Sequence, residues 1–332
     1  MGIGSAILEA NASPVRTESQ SPIEARLDSI RYAARDTHLY EFSRTDGAML
    51  PDAQPGAHID LHLPNGLTRQ YSLVIPRTSP KSYVLGIKRD PASRGGSRYI
   101  FDELRVGNRV KISHPRNNFP LAKAAAHSVL IAGGIGITPI WAMGQDLQRH
   151  GQSWELHYSC RSKLDMAFLE HFQNLPCARL HFDEEDDARL LDLNAIVSSA
   201  PNDAHLYCCG PLPMLNAFEA ATINVPSERV HVEYFTPGEA PNLQGGFVVQ
   251  LARSGRQFAI PAGKSILDVL REAGIDAASS CQEGICGTCE TAVLSGVPDH
   301  RDGVLSDSER AANRTMMICC SGAKSDRLVL DI

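Results

Sequence analysis

Residues 279–290 read SSCQEGICGTCE and set Cys281, Cys286 and Cys289 in a C-x4-C-x2-C array interrupted by Gly284 and Gly287. Thiols at this density bind metal or pair as disulfides. The chain opens without a basic and then apolar leader, so its nine cysteines are expected in a reducing cytosol, where disulfides do not persist. Structural zinc favours paired C-x2-C knuckles, and only Cys286 and Cys289 have that spacing. C-x4-C-x2-C followed by a distant cysteine is instead the plant-type [2Fe–2S] spacing. Cys319 supplies the fourth thiolate, with the adjacent Cys320 as its competitor. Two irons need four soft donors, and a tight glycine-containing loop lets backbone N–H groups point at the sulfurs. A zinc ribbon is the competing reading. Cys160, Cys177 and Cys208 have no partner spacing and are expected as buried thiols.

The 332 residues are 43% apolar and 21% charged, the globular range, and are enough for two or three cores. A formal charge of −6 offers no basic field to displace phosphate counterions, which argues against nucleic acid as a partner. No apolar run approaches the length of a bilayer span. A soluble, cytoplasmic protein is expected.

Residues 1–22, rich in Ser, Pro, Ala and Glu, lack periodicity and read as a disordered arm. Residues 23–122 alternate over short stretches. In HIDLHLPNGLTRQYSLV (58–74), Ile59, Leu61 and Leu63 alternate with polar residues, and Asn65-Gly66 supplies a hairpin turn. SYVLGIKRD and NRVKIS add strands, so an antiparallel β-barrel is expected. Over 123–236 the period changes. Strand-like SVLIAGG, WELHYS, RLHF, AHLYCC and RVHVEYF alternate with helical segments, the signature of a parallel α/β sheet. Residues 237–246 read as a Pro- and Gly-rich linker. Residues 247–332 hold a hairpin, FVVQLARSGRQFAI, an amphipathic helix, SILDVLREAG, and the cysteine loop. Ile266, Leu267, Val269 and Leu270 are expected to face inward.

Two glycine loops follow apolar strands. In VLIAGGIGITPI, Gly133, Gly134 and Gly136 let the backbone approach a pyrophosphate, with Thr138 at the helix start and Pro139 in its first turn. YCCGPLPML repeats the arrangement at Gly210, and two such loops at the carboxyl ends of parallel strands form a nucleotide crevice. On the barrel, RQYS puts Arg69 and Tyr71 on one strand face and Gln70 and Ser72 on the other. Gly95, Gly96 and Ser97 precede a helical segment whose N-terminus can receive a phosphate. A nicotinamide gives up a hydride, whereas a [2Fe–2S] cluster accepts one electron. A flavin on the barrel bridges the two.

RQYSL, IKRD, RGGS, PRNNFPL, GGIGITP, YCCGP, VHVEYF and the cysteine loop stand in one order, and that order resembles the phthalate dioxygenase reductase family, vanillate O-demethylase reductases included. The likeness runs from about residue 25 to Ile332. It implies three domains: an FMN-binding antiparallel β-barrel, an NAD-binding α/β domain with a parallel sheet, and an α+β β-grasp ferredoxin domain of plant type. It implies that Arg69 contacts the FMN phosphate with Gly96 and Ser97, that Tyr71 and Ser72 lie against the isoalloxazine, and that Ile87 and Lys88 meet its pyrimidine side. Gly134, Gly136, Thr138, Cys209, Gly210 and Pro211 would line the nicotinamide nucleotide site, with Phe235 covering the flavin. Ser72, Cys209 and Phe235 are the candidate catalytic residues, and Cys281, Cys286, Cys289 and Cys319 the metal ligands. The family uses NADH, while Arg161 after the second sheet strand leaves NADPH open. The implied partner is a Rieske-type terminal oxygenase docking on the ferredoxin domain. A di-iron hydroxylase or a cytochrome P450 is the alternative acceptor, and a zinc-stabilised nucleotide-binding module the alternative class.

Overall fold

The computed structural model describes residues 21–75, 80–91, 95–185, 189–236 and 240–332. The expected arm therefore lies outside the described residues except for its last two positions, as do Arg94 and the first three linker residues.

Alternating burial starts at once. Ile23, Ala25 and Leu27 of β1 (Ile23–Ala34) point inward, and the chain reverses at Asp36, φ 55°, into β2 (Thr37–Arg44). With β3 (His58–His62), β4 (Thr68–Ser72), β5 (Ser82–Lys88) and β6 (Arg109–Ile112) these make a six-stranded antiparallel sheet in the order β4-β3-β6-β1-β2-β5. A bridge between Leu73 and Leu85, with Val74 N–H donating to the Val84 carbonyl at 3.0 Å, joins the two outer strands and closes the barrel. Leu27, Phe42, Ile59, Leu61, Leu85 and Ile112 fill it, each burial worth about 1.5–3 kcal/mol. Helix α1 (Gly96–Glu103) adds Ile100 to this core. The outer face of β3 is less simple than its alternation suggests: His58 and Asp60 are buried as well, beneath a segment from far along the chain.

The second sheet is wholly parallel. β7 (Ser128–Gly133), β8 (Trp154–Cys160), β9 (Ala178–Phe182), β10 (His205–Cys209) and β11 (Val230–Glu233) lie in the order β11-β10-β7-β8-β9. Between them run α2 (Ile137–Arg149), α3 (Leu169–Phe172), α4 (Leu193–Ser199) and α5 (Leu212–Ala221). Every residue of β7 is buried, as a strand covered on both faces requires. The strand order reverses between β7 and β10, so the loops after these two strands open on one crevice.

The third unit is a mixed sheet. β12 (Phe247–Leu251) and β13 (Gln257–Ile260) form the expected hairpin, followed by α6 (Ile266–Glu272), β14 (Glu290–Ser295), β15 (Pro298–Asp299), α7 (Asp307–Ala312), β16 (Thr315–Met317), β17 (Gly322–Ala323) and β18 (Arg327–Leu330). β18 inserts parallel to β12 and antiparallel to β14, giving the order β13-β12-β18-β14-β16 of a β-grasp. Ser265 and Asp268 form a capping box that starts α6. Ile266, Leu267 and Leu270 are buried, and Val269 is half-buried at the edge of the same core. Asn242 pins the preceding segment to this unit, its N–H donating to the Cys320 carbonyl at 2.8 Å and its amide to Asp299 at 2.6 Å. Among the described residues no helix is long and apolar enough to cross a membrane.

Gly56 sets the approach of residues 113–119 to the barrel. It has φ 84°, and a Cβ there would stand 1.9 Å from the Phe119 carbonyl oxygen. Gly56→Ala should cost more than about 1 kcal/mol in urea unfolding, because it adds a collision to left-handed strain. Gly47→Ala, at φ 75° with open space around it, should cost less. Equal losses would mean that the Phe119 contact contributes nothing.

Candidate functional site

The cysteine loop between α6 and β14 buries all three of its thiols, and Cys319, just after β16, is buried beside them. The sulfurs meet two by two, Cys281 with Cys286 and Cys289 with Cys319. Among the described residues no three His, Cys, Asp or Glu converge on the position of a single ion. A two-and-two division suits a binuclear cluster, which takes two thiolates per iron, better than one tetrahedral zinc. Glu283 N–H points at the Cys281 sulfur at 3.3 Å and Thr288 N–H at the Cys286 sulfur at 3.4 Å. Such donors stabilise negative charge on sulfur. Accordingly Cys286 is lowered by the Cys281 thiol and Thr288, and Cys319 by the Cys289 and Cys320 thiols. The Cys320 thiol touches Cys319 and also faces the Met317 carbonyl, and a Cβ on Gly284 would meet its sulfur at 2.4 Å.

On the barrel, Arg69 folds over the start of α1, where a Cβ on Gly96 would strike its Nε at 2.5 Å. Gly95 caps that helix in the left-handed region, and the Ser97 hydroxyl accepts from Asp90 N–H at 3.2 Å. A guanidinium, a helix N-terminus and a hydroxyl thus share one corner, a donor set suited to a phosphate. Tyr71 packs on the barrel core, and burial pushes its phenol up. Ser72 is buried on the opposite strand face. Gln70 shares that face, and its amide donates to Asp60 at 3.0 Å. Ile87 lies in the barrel core, while Lys88 is exposed.

The two glycine loops touch. A Cβ on Gly136 would come within 2.2 Å of the Cys209 carbonyl oxygen, and one on Gly133 within 2.7 Å of Pro211. Gly134 faces open space. Thr138 and Pro139 are buried at the start of α2, where a Cβ on Gly86 of β5 would meet the Thr138 methyl at 2.6 Å. Gly210 completes the contact against Gly133 and Met214. Phe235 is half-buried just past β11, against the same core, and Arg161 is exposed beyond β8. Barrel and parallel sheet are also tied by Arg35, which donates to Asp165 at 2.9 Å while its N–H donates to the Leu164 carbonyl at 2.7 Å.

Sequence reading passes over Glu233. It ends β11 beside Cys209, whose sulfur lies 3.9 Å from its carboxylate. The residue as a whole keeps some accessible surface, but its carboxyl group is enclosed, and burial pushes it up to about 8. Burial, then the neighbouring Glu233, raises the Cys209 thiol well above its usual range. The available signal was position: a carboxylate at the carboxyl end of a parallel strand, where ligands bind. The neutral form is favoured by folding, so its contribution is full below pH 4.5 and is lost as pH rises through about 8. The difference in unfolding free energy between the wild type and Glu233→Gln should therefore change by up to about 5 kcal/mol across that interval. A constant difference would place the carboxyl in contact with solvent.

A family model described as the 2Fe-2S iron-sulfur cluster binding domain matches residues 249–324. Phenoxybenzoate dioxygenase subunit beta of Ectopseudomonas oleovorans is 51% identical over 315 residues, covering 95% of this chain and 98% of the relative. The solved structure of phthalate dioxygenase reductase, described as modular for electron transfer from pyridine nucleotides to [2Fe–2S], superposes with a TM-score of 0.71. Its identity is 38%, over 94% of this chain and 98% of that one. An intact type IV self-sufficient cytochrome P450 monooxygenase superposes with a TM-score of 0.84 at 38% identity, over 94% of this chain but 41% of that one. With barrel, parallel sheet and cysteine-bearing β-grasp in one order, and likeness along nearly its whole length, the chain belongs to the phthalate dioxygenase reductase family of oxygenase reductases.

Proposed function

We propose that this protein is the reductase component of an aromatic-ring oxygenase or O-demethylase system, an oxidoreductase that passes electrons from NADH through FMN to a [2Fe–2S] cluster and on to a Rieske-type terminal oxygenase. The observation that carries this reading is the packing of the cysteine loop directly on the barrel, with Asn118 donating to the Cys286 carbonyl at 3.0 Å. Sites for a two-electron and a one-electron carrier are thereby adjacent. Bound FMN and a bound cluster supply two-electron and one-electron chemistry respectively.

The protein's own residues bind, orient and shield. We assign the FMN barrel to 23–122, the nucleotide domain to 123–236 and the ferredoxin domain to 247–332. Arg69, Ser97 and the amides opening α1 hold the FMN phosphate, and Tyr71 and Ser72 border the ring. Gly134, Gly136 and Gly210 let the dinucleotide approach the backbone, while Cys209 and Phe235 flank the nicotinamide and exclude water. Cys281 and Cys286 hold one iron and Cys289 and Cys319 the other. The acceptor docks on the ferredoxin domain. The likeness to the cytochrome P450 monooxygenase supports a second reading in which the acceptor is a haem protein. Pairing the reductase with each type of purified acceptor separates the two.

Anaerobic NADH titration should bleach the flavin and then produce the reduced-cluster signal in low-temperature EPR. A colourless protein that contains zinc and ignores NADH would overturn the reading. Cys286→Ser should abolish the EPR signal and acceptor reduction while flavin bleaching persists. Arg69→Ala should weaken FMN retention by about ten- to a hundredfold, the value of one charge-assisted phosphate contact. Equilibrium dialysis of FMN checks this, and unchanged retention removes Arg69 from the phosphate site.

A further inference from the structure

The stretch HPRNNFP (114–120) has no part in any site described so far, yet it is the segment of the barrel that reaches the cysteine loop. Its two asparagines work in opposite directions. The Asn117 side chain accepts from Phe119 N–H at 3.0 Å and donates to the Pro55 carbonyl at 2.8 Å, which fixes the loop on the barrel. The Asn118 amide leaves the barrel and donates to the Cys286 carbonyl at 3.0 Å. It lies over the Cys286–Gly287 junction, where Gly287 has φ 73° and a Cβ would stand 3.4 Å from the Asn118 nitrogen.

The residues beneath hold this loop rigid. Arg116 pairs with His58 through both backbone bonds, at 2.8 and 3.0 Å, and its guanidinium meets Asp60 at 2.6 Å. Asp60 also takes the Gln70 amide at 3.0 Å, and its own N–H donates to the Ser113 hydroxyl at 2.9 Å. Ser280, which immediately precedes Cys281, is half-buried with its hydroxyl enclosed beside the Asp60 carboxylate, without closing a full hydrogen bond. Two points of one polar patch thus meet the cysteine loop, at Ser280 and at Cys286.

We propose that Asn118, supported by the Arg116–Asp60 pair, is a positioning residue that seats the cysteine loop on the barrel and sets the contact across which electrons pass to the cluster. This rests on the reading that the barrel holds FMN and the loop the cluster. Each unit has its own apolar core, and the two contacts described between them are polar. A seam of that kind is held by individual hydrogen bonds, and losing one shifts the docking equilibrium constant by up to about tenfold.

The test uses full-length holoprotein with Asn118→Asp, which keeps the shape and loses the donor, and Asn118→Ala, which adds no charge near the thiolates. The wild type is the control for the underlying reading: if NADH fails to reduce its flavin and cluster, that reading falls whatever the variants do. Given a working wild type, both variants should bleach flavin at the wild-type rate, retain full iron content and an unchanged reduced-cluster EPR spectrum, and reduce the cluster more slowly, by up to about tenfold. Amide exchange should rise together in 279–290 and 113–119. Cluster reduction at the wild-type rate in Asn118→Ala overturns the proposal. Loss of iron in both variants also overturns it, since Asn118 would then be part of the loop's own fold. Slower cluster reduction without faster exchange does so too, because docking would be intact.

Discussion

The ion pair between Asp60 and Arg116 lies where the barrel meets the cysteine loop, which packs on a core of its own. Asp60 is almost fully enclosed, and a carboxylate in that position is costly unless its oxygens are satisfied. Burial works to raise it, but the Arg116 guanidinium, the Ser280 hydroxyl and Gln70 keep it charged, with its pKa below the ordinary value. Removing one partner would leave a buried charge and cost about 3–5 kcal/mol. The pair thereby fixes residues 113–119 on β3, and through Asn118 those residues meet the cysteine loop. A few polar groups hold two independently cored units in register, as is usual between domains of one chain.

A different constraint governs the other seam. At the β7/β10 reversal two loops must come within van der Waals contact and still leave backbone N–H groups for a ligand. Only a residue without a Cβ fits at Gly136, against the Cys209 carbonyl. Thr138 against Gly86 then carries this crevice onto β5 of the barrel, and the Arg35–Asp165 pair braces it from the edge. The enclosed Glu233 carboxyl is a further polar group at this crevice, kept neutral by the packing that brings the two loops together.

Local pattern made most of the architecture legible. Period-two alternation in 58–74 led to β3, the Asn65-Gly66 turn and β4, and the apolar run before Gly133 led to a central parallel strand. The cysteine spacing pointed to the cluster type because ligand geometry is encoded within one loop. Partners contributed by remote segments were not legible. Nothing in HIDLH announces that Asp60 is covered rather than exposed, since its cover is Ser280, and alternation reports only the barrel's own core. The insertion of β18 between β12 and β14 was hidden for the same reason, because sheet order is a property of pairing between distant strands. Gln70 stands on the same strand as the expected flavin contacts, and its amide donates to Asp60 in the polar seam, a partner that strand alternation does not reveal.

The barrel comes first in the described chain, and in space it touches both of the other units. Gly86, on the β2–β5 side, meets the start of α2, and the segment after β6 meets the cysteine loop. That arrangement follows from electron count rather than from connectivity. A donor that releases a hydride and an acceptor that takes single electrons cannot exchange directly, so the site that converts one into the other must touch both. The sequence order of the three units is then free, provided that the middle site offers two faces. β3 and β4 offer one through Asp60 and Gln70, and β5 offers the other through Gly86. A closed barrel suits this task because neighbouring strands at its seam turn to different units while one core keeps them at a fixed spacing.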